Sequence, residues 1–379
     1  MFNMIYNVLS YILPFILTLT VLIFVHEMGH YLVARLNKVR VEVFSIGFGK
    51  EIFGWNDKVG TRWKICFFPL GGYVKFFGDM GVSSSKPDIS SDEISQSDLK
   101  FAFHNKGLFQ RASIVVAGPG ANFLFAIALF TIVFYSFGQP VTSPVIDKIL
   151  PDSSASNAGL QEGDKIIKAN KNNIRSFEEI RNIVQLRPNQ LITLVVLRNN
   201  EEIIVKITPK LVHVTDRFGN KFSVGQLGIT SSNVQLVKHD IFNAFLVSIN
   251  STFEVMMSTL FAVKQIIIGD RGAEELSGPI GIAKMTGDIA QYGVLPLIQL
   301  AAFLSISIGL VNLFPIPMLD GGHLMFYFFE AILGKPLNAK VQDLSIKFGL
   351  ILVLALFVFT TFNDLHKINI FNSFSRIFG

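Results

Sequence analysis

Charged side chains are scarce in this chain of 379 residues. They make up 16% of the sequence, against ~25% in typical soluble domains, and residues 1–25 contain none. Cysteine is nearly absent: Cys66 is the only one, which excludes an intrachain disulfide. No long basic run accompanies the net charge of +5, so that charge reads as topological and membrane-surface charge, and no nucleic-acid partner is expected. No basic n-region precedes the first apolar run, which therefore reads as a retained span and not as a cleaved leader. No internal repeat relates the apolar segments, which speaks against a transporter.

What is present is apolar surface. Half of the residues are hydrophobic and 37 are Phe. Apolar runs at 8–36, 112–137, 295–314 and 346–362 each approach the ~17–25 residues that cross a bilayer. Ile241–Ile268 is apolar on one helical face and carries Asn250, Ser251, Glu254, Ser258 and Gln265 elsewhere, which suits a helix lying in the interface. The expected fold class is a multi-pass α-helical membrane protein with about four transmembrane helices, membrane-associated β-hairpins and one inserted α+β domain. Its expected parts are a first span in 1–37, a β-rich region in 38–111, a second span in 112–137 and an inserted domain in 138–212. A linker in 213–240, an amphipathic interfacial segment in 241–294, a third span in 295–318, a loop in 319–345, a fourth span in 346–362 and a tail in 363–379 follow. Arg35, Lys38 and Arg40 come directly after the first span, so the positive-inside rule sets 37–110 in the cytoplasm and 138–240 outside.

Residues 39–78 alternate with period two and carry glycines at 47, 49, 71 and 72, the pattern of short hairpins. Residues 83–98 are rich in Ser and Asp and read as a flexible loop. In the insert, Ser176 with Glu179 three residues later forms a capping box, and Asn199-Asn200 joins two strand candidates as a hairpin. Ala158-Gly159-Leu160 followed by Gly163-Asp164 resembles a bacterial PDZ signature, and a PDZ domain binds an extended peptide or a chain end by strand addition. The alternative is a small β-rich spacer.

His26-Glu27-Met28-Gly29-His30 closes the uncharged first span. A charge at mid-bilayer costs roughly 2.5–3.5 kcal/mol on insertion scales, so three ionisable groups there require a use. Helical spacing puts His26 and His30 one turn apart on one face, where both imidazoles reach one zinc ion, with Glu27 beside the open position as a base. The alternative is an ion pair packed between helices. A catalytic zinc takes a third protein ligand. At the end of the third span, Asn312 through His323 includes Pro315 and Pro317, which break the helix, and then Asp320-Gly321-Gly322. This segment presents Asp320 from irregular backbone, with His323 as a rival ligand.

These motifs, together with 44–50, 69–75, Gly118-Pro119-Gly120-Ala121-Asn122 and 277–283, resemble the site-2 protease family of intramembrane zinc metalloproteases over almost the whole chain. The resemblance implies zinc held by His26, His30 and Asp320, Glu27 as the general base, and substrate contacts at Asn312, Gly71, Gly72 and Pro315. It implies a bacterial inner-membrane enzyme that cleaves single-span membrane proteins, such as an anti-sigma factor after a first cut on the outer side. The partners implied are those substrates, a peptide or chain end at the PDZ-like domain, and the lipid bilayer. Some members carry two PDZ modules in tandem, whereas residues 138–240 have room for one. A transporter with an intramembrane ion-pair network and a catalytically silent adaptor are the competing classes.

Overall fold

The computed structural model describes residues 2–78, 98–215, 221–269 and 272–367. Apart from Asp98, the Ser- and Asp-rich segment 83–98 lies outside these residues, as does the tail beyond Lys367. The chain divides into two compact units. The first comprises Met1–Phe130, Val247–Thr259 and Leu276–Gly379, the second Thr131–Leu246 and Leu260–Glu275.

The elements in chain order begin with helix α1 (Phe2–Leu36), the paired strands β1 (Val41–Asn56) and β2 (Arg62–Phe76), and helix α2 (Leu108–Phe137). The insert contributes β3 (Gln139–Thr142), β4 (Lys148–Ile149), α3 (Ser154–Asn157), β5 (Lys165–Ala169), β6 (Asn172–Asn173) and α4 (Phe177–Gln185). It continues with β7 (Ile192–Arg198), β8 (Glu201–Ile207), β9 (Lys210–Thr215), β10 (Lys221–Gln226), β11 (Ile229–Thr230) and β12 (Val234–Val237). Helices α5 (Ile241–Ile268), α6 (Pro279–Ala290), α7 (Val294–Asn312), α8 (Asp320–Leu333) and α9 (Ala339–Lys367) follow.

Among the described residues, five helices, α1, α2, α5, α7 and α9, are long and apolar enough to cross a membrane. On α5 the inward stripe is Ala244, Ser248 and Thr252, all buried, while Phe242, Phe245, Phe253 and Met257 are exposed. The apolar face of α5 thus points away from protein, as a lipid-facing helix requires. The expected interfacial segment 241–294 is more than one element: α6, with 12 residues, is a separate helix too short to span.

The β1–β2 region is one hairpin folded on itself where short hairpins were expected. Residues 43–46 pair with 72–75 on one side and 62–65 on the other, and 53–56 close on 62–65. Glycines at φ 89° and 88°, Gly47 and Gly49, let β1 reverse at this point. Phe44 stacks on Trp63 at 4.4 Å, and Tyr31 of α1 meets both rings. At the hairpin tip the Asp57 carboxylate accepts the Trp63 indole N–H and the backbone N–H groups of Val59 and Thr61, each at 2.9 Å, and the Tyr31 hydroxyl at 3.4 Å. The tip is therefore anchored to α1, while Ile52, Phe53, Phe67 and Phe68 remain exposed.

Two expectations fail in the first unit and the insert. Segment 319–345 is not a loop, because the apolar run after His323 forms α8, stopped by Gly334 in the left-handed region at φ 67°. Segment 213–240 is not a bare linker. It carries strands that return to the start of the insert, with β11 on β4 and β12 on β3, beside the β9–β10 pair. Short strands of two to six residues give too little periodicity to be seen in sequence.

The insert is built on the antiparallel sheet β6-β5-β7-β8. Ile166, Ile192, Leu194, Val196 and Ile207 from the sheet bury against Phe177, Ile180 and Val184 of α4. Asn199 and Asn200, at φ 49° and 66°, form the two-residue turn between β7 and β8. Ser176 caps α4 by accepting the Glu179 N–H, and the Glu179 carboxylate accepts the Arg175 N–H. Arg198 donates twice to Asp164 at 2.8 Å and once to the Gly159 carbonyl, and Asp164 also accepts the Gln161 N–H. This fork fixes the 159–164 turn against β7.

Burial pushes the Asp164 carboxyl up, but the Arg198 guanidinium and the Gln161 N–H outweigh it and hold it below the usual carboxylate range. A depressed folded-state value means that the stabilisation is present above the unfolded carboxylate range and is lost as pH falls through the folded value. Asp164→Leu should destabilise the insert by about 1.5–3 kcal/mol, the range for hydrogen bonds to charged groups. Hydrogen exchange of the β7 amides in the full chain at neutral pH checks this, and the difference from wild type should shrink in acid.

Candidate metal centre

Helical periodicity puts His26 and His30 on one face of α1, with ring centroids 4.8 Å apart. Asp320, the first residue of α8, closes the group. Its Oδ2 lies 3.2 Å from His26 Nε2 and 3.5 Å from His30 Nε2, and the two Nε2 atoms are 3.2 Å apart. Zinc bonds of about 2.0–2.1 Å in a tetrahedron place ligand atoms about 3.3 Å apart, so the three atoms match the edges of one coordination polyhedron. Asp320 Oδ2 is buried and faces both imidazole Nε2 atoms, as a ligand atom sharing one cation with them would.

The two prolines and the Gly pair predict irregular backbone at Asp320, whereas the residue lies in the first turn of a helix. Gly321 and Gly322 do not break that helix. They let its first turn pack directly on the Leu313, Phe314 and Ile316 carbonyls and the Pro317 backbone, where a Cβ would collide. The turn before it passes through Met318 at φ 93°, a left-handed conformation rare outside glycine. An acidic residue at a helix start also lies at the positive end of the helix dipole.

The close approach of α2 seats the histidines. A side chain at Gly29 would strike the Ala117 backbone, and one at Gly118 would strike His30 Nε2 and His26 Cε1. His30 Nδ1 lies 2.9 Å from the Ile114 carbonyl oxygen. A carbonyl only accepts, so the proton sits on Nδ1 and the Nε2 lone pair faces the cluster. Asn122 of α2, fully buried, stands 3.3 Å from His26 Nδ1. The Asn122 carbonyl in turn accepts the Ser305 hydroxyl of α7 at 2.8 Å. Farther along, Arg111 of α2 donates twice to Glu330 of α8, at 2.5 and 3.2 Å, and lies 4.9 Å from the centre of the Tyr327 ring, tying to α2 the helix that carries Asp320.

Glu27 is buried beside this cluster. A Cβ at Gly72 would lie 3.0 Å from Glu27 Cγ, and also against Ile23, so the edge of the hairpin reaches α1 there because residue 72 has no side chain. Gly71 lies under the Phe48 ring. Both glycines therefore face their own protein. Asn312 ends α7, half-buried, with no side-chain hydrogen bond among the described residues, and Pro315 is exposed in the turn that follows. His323 lies in α8, 6.3 Å from the Phe326 ring, and does not join the three-residue cluster. Asn122, Gly118 and the Arg111–Glu330 pair received no role from sequence reasoning. The one available signal was the run 118–122 of small residues closing on Asn inside an apolar span.

The insert offers a concavity of ≈ 330 Å³ between α4 and residues 224–231, lined by Phe177, Ile180, Val184, Leu227 and Ile229 with Arg181 among them. The backbone N–H groups of Leu227 and Gly228 meet no acceptor among the described residues, and Gly228 is at φ 80°.

The family model described as Peptidase family M50 matches residues 14–356. A predicted zinc metalloprotease of Agrobacterium fabrum is 41% identical over 363 residues, 95% of this chain and 96% of its own length. Another from Mesorhizobium japonicum is 40% identical, covering 94% of this chain and 99% of its own. Metalloprotease MmpA of Caulobacter vibrioides is 36% identical over 383 residues, 95% of this chain and 96% of its own. Among solved structures, the PDZ domain of an SdrC-like protein from Listeria monocytogenes aligns at 18% identity and TM-score 0.19, over 23% of this chain and 84% of that one.

Gly118→Val should displace the imidazoles and lower the metal content of the purified chain. Gly120→Ala, where a Cβ meets nothing within 4 Å, should leave it unchanged. Metal analysis of the two variants beside wild type reads the difference. Equal metal in both would mean that the α1–α2 contact does not set the ligand geometry.

Proposed function

The chain belongs to peptidase family M50, the site-2 protease family of metallopeptidases, and from that premise we propose that it cleaves the transmembrane segment of single-span membrane proteins. The observation that carries this reading is the convergence of His26, His30 and Asp320, with Glu27 buried beside them, on helices otherwise built to meet lipid. The donor set, two neutral imidazoles and a carboxylate, fits zinc. His26, His30 and Asp320 would hold the ion, and Glu27 would be the general base.

When bound, zinc supplies Lewis acidity to polarise the scissile carbonyl and to make water acidic. Glu27 takes one proton from the attacking water and delivers it to the leaving amide nitrogen as the C–N bond breaks.

A transmembrane helix hides its peptide bonds in internal hydrogen bonds, so the substrate must unwind before attack. The strand segment 72–75 offers an edge, since its described partner is 43–46 alone. An unwound substrate can add to that edge beside Glu27, with Asn312 and Pro315 at the end of α7 bordering its path. We read the insert as a PDZ-like module whose groove between α4 and 224–231 takes a peptide or chain end. The two vacant N–H groups of Leu227 and Gly228 suit a carboxylate. The basic residues after the first span support a bacterial inner-membrane protein with residues 138–240 outside. An anti-sigma factor trimmed by a first cut outside the membrane fits such a substrate.

Glu27→Gln should retain zinc and lose cleavage by ~10²–10⁴-fold, the usual contribution of general acid–base catalysis. Zinc analysis and cleavage of a model single-span substrate in detergent are measured on one preparation. A zinc-loaded Glu27→Gln chain that cleaves at the wild-type rate would remove Glu27 from the chemistry. Replacing Gly near the scissile bond by Leu in that substrate should slow cleavage severalfold, because each Gly destabilises a helix by about 1 kcal/mol. Equal rates for both substrates would mean that unwinding does not limit the reaction.

A further inference from the structure

The two imidazoles of the cluster are not anchored alike. His30 Nδ1 meets a backbone carbonyl, which can only accept. His26 Nδ1 meets the side-chain amide of Asn122, which can donate or accept according to which way it is turned. With the amide nitrogen toward the ring, His26 holds its proton on Nε2 and directs it at Asp320 Oδ2, 3.2 Å away. That arrangement leaves Asn122 Oδ1 buried with no partner among the described residues. A half-turn of the amide brings Oδ1 to the ring, moves the proton to Nδ1 and frees the Nε2 lone pair for the cluster. Nothing charged is created or lost, so the exchange is feasible at a residue with no exposure to solvent.

We infer that Asn122 is a positioning residue: its side-chain oxygen accepts the His26 Nδ1–H and fixes the imidazole tautomer that binds metal. The backbone around it is built to hold this aim. The Ser305 hydroxyl donates to the Asn122 carbonyl, and Gly309 keeps α7 close enough that a Cβ there would lie 3.3 Å from the Asn122 Cβ. Partners of this kind typically change metal affinity 10–100-fold. The inference rests on the reading of His26 as a metal ligand.

The test is zinc affinity of the detergent-purified full chain, by competition with a chromophoric chelator, for wild type, Asn122→Leu, Asn122→Asp and His26→Ala. Leu is close in size and has no polar atom, so its affinity should fall 10–100-fold. Asp accepts but does not donate from its carboxylate, so Asn122→Asp should bind zinc at least as tightly as wild type. Wild-type affinity in a folded Asn122→Leu chain overturns the inference. So does a loss in Asn122→Asp, which would mean that the amide acts as a donor, and this arm decides alone if the Leu variant does not accumulate. His26→Ala separates the two levels of argument. If it keeps full zinc affinity, the ligand reading itself fails. If it loses zinc while Asn122→Leu does not, the inference alone fails.

Discussion

Close contact between α1 and α2 is the condition on which the site rests. Between lipid-facing helices there is little hydrophobic drive, and packing depends on residues small enough to let backbones approach. Gly29 on one helix and Gly118 on the other meet that need at the level of the histidines, where any side chain would strike backbone or imidazole. The same approach brings the Ile114 carbonyl to His30 and Asn122 to His26. One contact therefore sets both the position of the rings and the partners of their outer nitrogens.

Asp320 reaches this point by a different route. Its helix, α8, starts on glycines that let the first turn seat on the preceding loop, and is tied to α2 by Arg111 and Glu330. Gly349 of α9 closes on Pro317 from the other side, where a Cβ would collide with the backbone. The carboxylate is thus held through a chain of close backbone contacts, and few of the residues responsible carry any chemistry of their own.

The meeting of His26, His30 and Asp320 was legible because the helical period is fixed, and because an acid after a broken span is conspicuous where charge is scarce. The long helices were legible from hydropathy. The helical setting of Asp320 was not, since Gly-Gly after two prolines signals a break unless the packing that needs those glycines is known. Gly71 and Gly72 showed the same limit. Their spacing advertised strand and turn, whereas the reasons for their bareness, the Phe48 ring and the Glu27 stem, come from elements distant in sequence. The strands of 213–240 were too short for a periodic signal, and Asn122 looked like one polar residue among many motif positions.

The wide separation of the cluster along the chain bears on how the protein is made. The histidines lie in α1, Asp320 comes after α7, and the α9 residue that packs on Pro317 follows later still. At ~5–20 residues per second, on the order of tens of seconds pass between synthesis of His30 and of Asp320. Throughout that interval the nascent chain carries an incomplete centre. The three side chains meet only once α8 has been made and packed on α2.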